Sequence, residues 1–146
     1  MKLTYYNIDK SSHLVENFYH ISYPKEILPF NTIMIPLGYT GFTFVYNNGQ
    51  NAFVDGIKNN LKGLILNGQF NKSYRFNVEE EGYSCGINFK PTALHKLTGL
   101  DVSKFTNAHT SLNTVNKNLA HKFEIFFSNH NNNFVELFQN LDKLFE

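Results

Sequence analysis

Residues 73–89 read SYRFNVEEEGYSCGINF, and this stretch holds two runs in which apolar and polar side chains alternate. The first run, 73–78, collects its aromatic side chains on one face, and the second run, 83–89, does the same. A period of two with one apolar face is typical of half-buried β-strands. The three glutamates at 79–81, followed by Gly82, are typical of a solvated turn between the two strands. The stretch therefore predicts a β-hairpin.

Further short strands are predicted towards the N-terminus, at roughly ten-residue spacing. They are residues 19–23, 32–36, 41–46, 52–54 and 64–66. Asn48-Gly49 and Asp55-Gly56 are strong hairpin signals, because such pairs adopt the tight turns that join antiparallel strands. Many short strands with regular turns predict a barrel or a sandwich.

The second part of the chain is predicted to be helical, since it has no glycine after Gly99 and no proline after Pro91. Pro91 is a good first-turn residue, Gly99 is a plausible helix stop, and Asp101 could cap a short turn. Two antiparallel helices with apolar stripes follow, separated by an asparagine-rich break at 129–133. We therefore expect one α+β domain over 1–146, with a β-rich half at 1–90 and a helical half at 91–146.

Charge and cysteine content exclude several classes of protein. The chain of 146 residues has a net charge of +1, and its lysines are scattered, so this chain alone is a poor binder of nucleic acid. Its single cysteine, Cys85, excludes an internal disulfide and a multi-cysteine zinc site. No apolar stretch is long enough for a signal peptide or a membrane span. The expected location is the cytoplasm, without a membrane partner.

Enzyme signatures are missing from the sequence. The histidines stand at positions 13, 20, 95, 109, 121 and 130, with no His-x-x-x-His or similar metal-ligand spacing. Cys85 lies among apolar neighbours, which indicates a small core residue, and the sequence places no base beside it. We expect no catalytic residue, no metal site and no cofactor.

Aromatic richness is the remaining feature, since Phe and Tyr together account for 23 residues. Aromatic side chains on strand faces could line an apolar cavity in a barrel mouth, or they could fill a plain packed core. Arg75 falls on the opposite strand face from its aromatic neighbours, and we expect it at the surface. The candidate ligand-binding residues are Phe42, Phe44, Tyr46, Tyr74, Phe76, Tyr83 and Phe89.

A longer pattern resembles a known family. Residues 86–99, GINFKPTALHKLTG, resemble a Gly-x-x-Phe-x-Pro-x-x-x-x-x-Leu-x-Gly segment in the N-terminal domain of AraC-type transcription regulators. Leu14-Val15 with Phe18-Tyr19 resembles the opening strand of those domains, although their tryptophan is missing. Pro36-Leu37-Gly38 before residues 42–44, and then Asp55-Gly56, resemble their turns in the same order. The resemblance covers roughly residues 12–145.

The resemblance implies a cupin-like antiparallel β-barrel followed by a C-terminal pair of α-helices. It also implies a domain that senses a small-molecule effector or sets the oligomeric state, while promoter DNA is bound by a helix-turn-helix domain that this chain lacks. Two alternatives stay open: a small cupin-type metal-dependent enzyme, and a purely structural dimerisation module. No catalytic residue is implied.

The last helix predicts a homodimer. Its apolar stripe is wider than one groove needs, and in the resembled family the helices after the barrel often pair between subunits. The expected interface lies within residues 115–145, with Leu141 and Leu144 or Phe145 near the two-fold axis. The candidate interface residues are Phe134, Leu137, Phe138, Leu141, Leu144 and Phe145.

Overall fold

The computed structural model describes residues 1–128 and 133–146. Within them the strands are β1 (Lys2–Tyr6), β2 (Val15–Tyr23), β3 (Phe30–Met34), β4 (Thr40–Val54), β5 (Ile57–Asn67), β6 (Tyr74–Val78), β7 (Gly82–Phe89) and β8 (His109–Ser111). The helices are α1 (Ala93–Thr98), α2 (Leu112–Val115), α3 (Lys117–Ser128) and α4 (Phe134–Leu144), with short 3₁₀ turns at Lys25–Ile27 and Val102–Phe105. No helix in these two ranges is long and apolar enough to cross a membrane.

The strands form one antiparallel sheet that divides at β4. Strands β1, β2, β7, β4, β5 and β8 are hydrogen-bonded neighbours in that order, while β3 pairs with β6 and β6 with β4. Residues 40–45 of β4 pair with β7, and residues 50–53 pair with β6. One long strand therefore joins two parts of the sheet, and the predicted α+β class is confirmed at this level.

The predicted hairpin at Asn48-Gly49 is wrong, because β4 continues through this pair. The register with β5 shifts from Val45 opposite Gly63 to Gln50 opposite Leu61, so that residues 46–49 bulge against one residue of β5. Gly49 has a φ of +89°, which a residue without a Cβ adopts at little cost. The chain reverses at Asp55-Gly56, as predicted.

Apolar side chains cover both faces of the sheet. On one face, alternate residues such as Phe18, Phe42 and Ile87 join α3 and α4 in the larger buried cluster. On the other face, a smaller cluster is built around Tyr23, Ile65 and residues of β6. Strands β2, β4 and β5 therefore contribute alternate side chains to two separate clusters.

The α4 stripe belongs to this chain's own core, which corrects the predicted dimer interface. Leu141 is fully buried, Leu137, Phe138 and Phe145 are at most 5% exposed, and Phe134 is partly buried. The Phe138 ring stacks on Phe18 at a centroid distance of 5.1 Å, and the Phe145 ring meets Phe89 edge-on. Leu144 is the most exposed of the candidate interface residues, with 37% of its surface accessible to solvent. The stripe is wide enough to meet two surfaces, but nearly all of it packs into the core that the sheet and α3 form in the same chain.

The predicted helical half also contains a strand. Residues 109–111 form β8 and add to the free edge of β5, so 91–146 is not purely helical. The short turn after Asp101 is confirmed, with the Asp101 carboxylate accepting from the backbone N–H of Ser103. The predicted break at 129–133 lies outside the described residues except for Asn133, which caps α4.

Candidate functional site

A cavity of about 250 Å³ lies on the sheet face opposite the long helices α3 and α4. Strands β2, β4, β5 and β7 supply lining side chains from one part of the sheet, and β6 supplies them from the other. The main lining residues on these strands are Tyr19, Ile21, Tyr23, Thr43, Val45, Gln50, Leu61, Ile65, Asn67, Tyr74, Phe76, Ser84 and Asn88.

Small and polar residues make room for this cavity. Thr43 and Val45 alternate along β4 with the phenylalanines that face the helices, and Ser84 and Asn88 take the corresponding positions on β7. These side chains are shorter than the aromatic ones on the opposite face. The sheet therefore packs densely against the helices and leaves open space on the other side.

The mouth of the cavity lies at the segment between β3 and β4. Ile35 and Leu37 in this segment line the cavity, yet they are 71% and 70% exposed. Side chains that touch both solvent and cavity mark an opening, and isoleucine and leucine give it an apolar rim. The geometry allows an apolar small molecule to enter from solvent.

A chain of hydrogen bonds crosses the cavity wall from β2 to β8. The Tyr19 hydroxyl is hydrogen-bonded to Thr43 Oγ1, which also accepts a hydrogen bond of 2.6 Å from Asn67 Nδ2. At its other end, the Asn67 side chain is bonded through Oδ1 to His109 Nδ1 at 3.0 Å. β5 and β8 place Asn67 directly opposite His109, so the pairing of the strands fixes this contact.

Two buried polar atoms of the cavity wall have no hydrogen-bond partner among the described residues: Gln50 Nε2 and His109 Nε2. Gln50 is only 2% exposed. Burial lowers the pKa of His109 to about 4, so its imidazole is neutral at pH 7. Buried polar groups are normally paired, and leaving one unpaired costs about 1–3 kcal/mol. Both atoms are also buried from solvent, so they are exceptions to this rule within the described residues.

The candidate ligand-binding residues divide between the two faces. Tyr74 and Phe76 line the cavity, as predicted. The other candidates lie on the helix side and are not among its lining residues: Phe42, Phe44, Tyr46, Tyr83 and Phe89. Their assignment is corrected because the aromatic strand face packs under α3 and α4. Arg75 is exposed as expected, with its guanidinium 4.2 Å from the centre of the Phe53 ring.

Cys85 lies beneath the helices and not in the cavity wall. It is fully buried, and its Sγ is 3.3 Å from the Tyr46 hydroxyl, which itself donates to the carbonyl oxygen of Phe127. Burial raises the pKa of the Cys85 thiol to about 12. The thiolate is the reactive form, so this cysteine is chemically inert in the folded chain.

Native protein is expected to react with Ellman's reagent at least about a hundredfold more slowly than protein unfolded in urea, because Cys85 must first be exposed and ionised. The reaction is followed by absorbance at a fixed pH of 8. Equal rates for the folded and unfolded chains would contradict the buried position of Cys85.

Metal-binding residues do not cluster in the parts of the chain that the structure describes. There, no group of three His, Cys, Asp or Glu side chains is placed to hold a metal ion. His130 lies outside the described residues. The expectation of a metal-free site stays a prediction.

Comparison with known families adds one result. A family model described as a domain of unknown function (DUF6597) matches residues 11–111, a span from β2 to β8 that includes both Gln50 and His109. No curated protein and no solved structure matches the chain. Since the family model covers more than half of its length, the chain belongs to the DUF6597 family.

Proposed function

We propose that this chain is the ligand-sensing and dimerisation domain of an AraC-type transcription regulator, and that it is not an enzyme. The observation that carries the proposal is the 250 Å³ cavity whose wall holds two unpaired polar atoms among the described residues. An apolar cavity of about 150 Å³ is large enough to bind benzene. A substituted ring therefore fits here, and a few fixed polar groups would orient it.

The proposed architecture is a cupin-like barrel around this cavity. Side chains from both parts of the divided sheet line the same space, and the segment between β3 and β4 borders its mouth. Antiparallel strands that curve around a small-molecule site are what the cupin-like class requires.

The AraC-like segment supports the proposal through Gly86. A Cβ at this position would lie 2.3 Å from the carbonyl oxygen of Phe42 and 2.5 Å from the Tyr19 hydroxyl. Glycine therefore allows Tyr19 to lie across β7, where Tyr19 lines the cavity. Gly86, the first residue of the AraC-like segment, is thus required for the position that Tyr19 takes in the cavity wall.

Ligand binding would reach the helices through β4. Thr43 lines the cavity, while the neighbouring Phe42 and Phe44 rings contact Phe123 and Phe127 of α3 at centroid distances of 5.0 and 5.6 Å. A ligand that favours one position of β4 would favour one position of α3, to the extent of its differential affinity for the two states. The attached DNA-binding domain would respond to that difference. The homodimer remains part of this proposal, without the α4 stripe as its interface.

Toluene tests the proposed ligand site. It is expected to bind the purified chain and shift the methyl NMR signals of Val45 and Ile65, and Leu61→Trp should abolish these shifts by filling the cavity. Ile57→Trp, on the same strand but 72% exposed, is the matched control and should behave like wild type. Unmoved signals in the wild type, or undiminished binding by folded Leu61→Trp, would overturn the proposal. Light scattering at tens of micromolar tests the dimer, and a monomer would contradict it.

A further inference from the structure

Four asparagines form a ladder across strands β3, β6, β4 and β5, and none of them lines the cavity. Strand pairing places them side by side in one row: Asn31, Asn77, Asn51 and Asn60. Asn60 Nδ2 donates to Asn51 Oδ1 at 2.9 Å, and Asn51 Nδ2 donates to Asn77 Oδ1 at 3.3 Å. Asn77 Nδ2 donates in turn to Asn31 Oδ1 at 2.9 Å. The donors all point the same way, so the ladder runs from β5 to β3.

The ladder ends at Asn31 with an amide that can still form hydrogen bonds. Asn31 is exposed, and its Nδ2 donates to no other residue in the described part of the chain. An amide oxygen has two lone pairs, and the bond from Asn77 uses one of them. Asn31 therefore keeps its N–H donors and one acceptor position, and this combination is complementary to a second primary amide.

Asn31 lies on a free edge of the sheet. Within residues 1–128 and 133–146, β3 pairs with β6 on one side and with no strand on the other. Natural proteins commonly keep such edges unpaired by making them very short or by giving them charged side chains. β8 has only three residues and β1 carries Lys2, whereas β3 reads FNTIM and leaves Ile33 60% exposed. β3 thus carries no charge that would oppose pairing.

We infer that β3 pairs antiparallel with β3 of a second copy of this chain, with Asn31 at the two-fold axis. A two-fold axis places this strand beside its own copy, and an uncharged strand brings no like charges into opposition there. The two Asn31 amides donate to each other and join two ladders end to end. In this register Ile33 lies opposite Pro29 of the other copy, and the contact covers apolar surface that one chain leaves exposed. The inference rests on the proposed function, because it locates the dimer interface of that domain.

Asn31→Asp tests this interface, because a carboxylate still accepts the bond from Asn77 but cannot donate to a second copy. The variant also places two negative charges at the axis. Its dimer dissociation constant, measured by light scattering over a concentration series at pH 7, should be at least about tenfold higher than that of wild type. Asn113→Asp makes the same change at an exposed position on α2 and should leave the constant unchanged. An equally tight dimer of folded Asn31→Asp would overturn the inference.

Disulfide formation tests the position of the axis independently. Cys85 is buried and is the only cysteine of the chain, so a cysteine introduced at the surface is the thiol that reacts. Opposite residues of paired strands have Cα atoms about 4.5–5.5 Å apart, within the range of a disulfide. Asn31→Cys should therefore give a covalent dimer on mild oxidation, seen on a non-reducing gel, and Tyr5→Cys on the free edge of β1 should not. Equal cross-linking of the two variants, or none with Asn31→Cys, would overturn the inference.

The failures of this inference and of the proposed function are distinguishable. A wild-type dimer that neither Asn31 variant affects as expected overturns the β3 interface alone. Failure of toluene to bind overturns the ligand site, independently of β3. A monomeric wild type overturns the β3 interface and the proposed dimer together.

Discussion

Leu141→Ala is expected to lower the free energy of unfolding by about 2–5 kcal/mol, the range for removing a leucine side chain from a packed core. Leu141 is fully buried and belongs to the cluster that α4 shares with the sheet. Phe138 on the same helix and Phe145 just after its end are fixed by ring contacts to β2 and β7, so they cannot collapse fully into the space left behind. Urea unfolding followed by circular dichroism measures the change.

Leu144→Ala is the matched control, since it makes the same chemical change three residues along the same helix. Leu144 is 37% exposed, and its replacement should cost less than about 1 kcal/mol. If α4 were instead an interface between copies, both variants would leave a stable folded monomer. If both variants changed the free energy of unfolding by similarly small amounts, and light scattering gave each of them half the mass of the wild type, α4 would again be the expected dimer interface.

Alternating patterns in the sequence predicted the strands well where each strand is short and both ends carry a turn signal. β6 and β7 follow residues 73–89 almost residue for residue, and Asp55-Gly56 forms the turn between β4 and β5. The pair Asn48-Gly49 carries the same local signal but forms a bulge. The difference comes from β5, which is long enough to pair with both halves of β4 and holds them in one strand.

The face that contains the candidate site could not be predicted from periodicity. Alternation separates the aromatic residues of β4 and β7 from the shorter ones, but it does not say which set meets the helices. The aromatic side chains of β4 and β7, which the sequence assigns to the cavity, form the core beneath α3 and α4. Tyr74 and Phe76 were placed in the cavity correctly, because β6 lies in the part of the sheet that contributes its apolar face there.

Gln50 and His109 carried no signal in the sequence at all. Gln50 follows a bulge that the sequence did not predict, and the register after it determines the face on which Gln50 lies. His109 lies on β8, a three-residue strand inside the half that was predicted to be helical. Each residue gains its role from a long-range pairing of strands, and such a pairing leaves no local pattern.

Asp142 is the residue for which a conservative change should have a large effect. Its carboxylate accepts hydrogen bonds from the backbone N–H groups of Asp9, Lys10 and Ser11 at 2.9–3.2 Å, and from the Ser11 hydroxyl. These bonds fasten the segment between β1 and β2 to the end of α4, across 131–133 residues of sequence. Ser11 is fully buried, so water cannot replace the carboxylate there.

Asp142→Asn should therefore cost about 2–4 kcal/mol of unfolding free energy, because an amide loses the charge-assisted bonds and turns a donor towards other donors.

Burial raises the pKa of the Asp142 carboxyl, but the bonds from Ser11, Lys10 and Asp9 outweigh this and hold it below the usual value. A depressed pKa contributes stability above the unfolded value of about 4, and this contribution is lost as the pH falls further. The free energy of unfolding, measured with urea at pH 7 and at pH 3, should thus change less with pH for Asp142→Asn than for wild type.

Asp101→Asn is the control, because it changes an exposed capping carboxylate and should cost less than about 1 kcal/mol at pH 7. Equal costs for the two variants at pH 7 would mean that the Asp142 contacts do not fasten the N-terminal segment to α4.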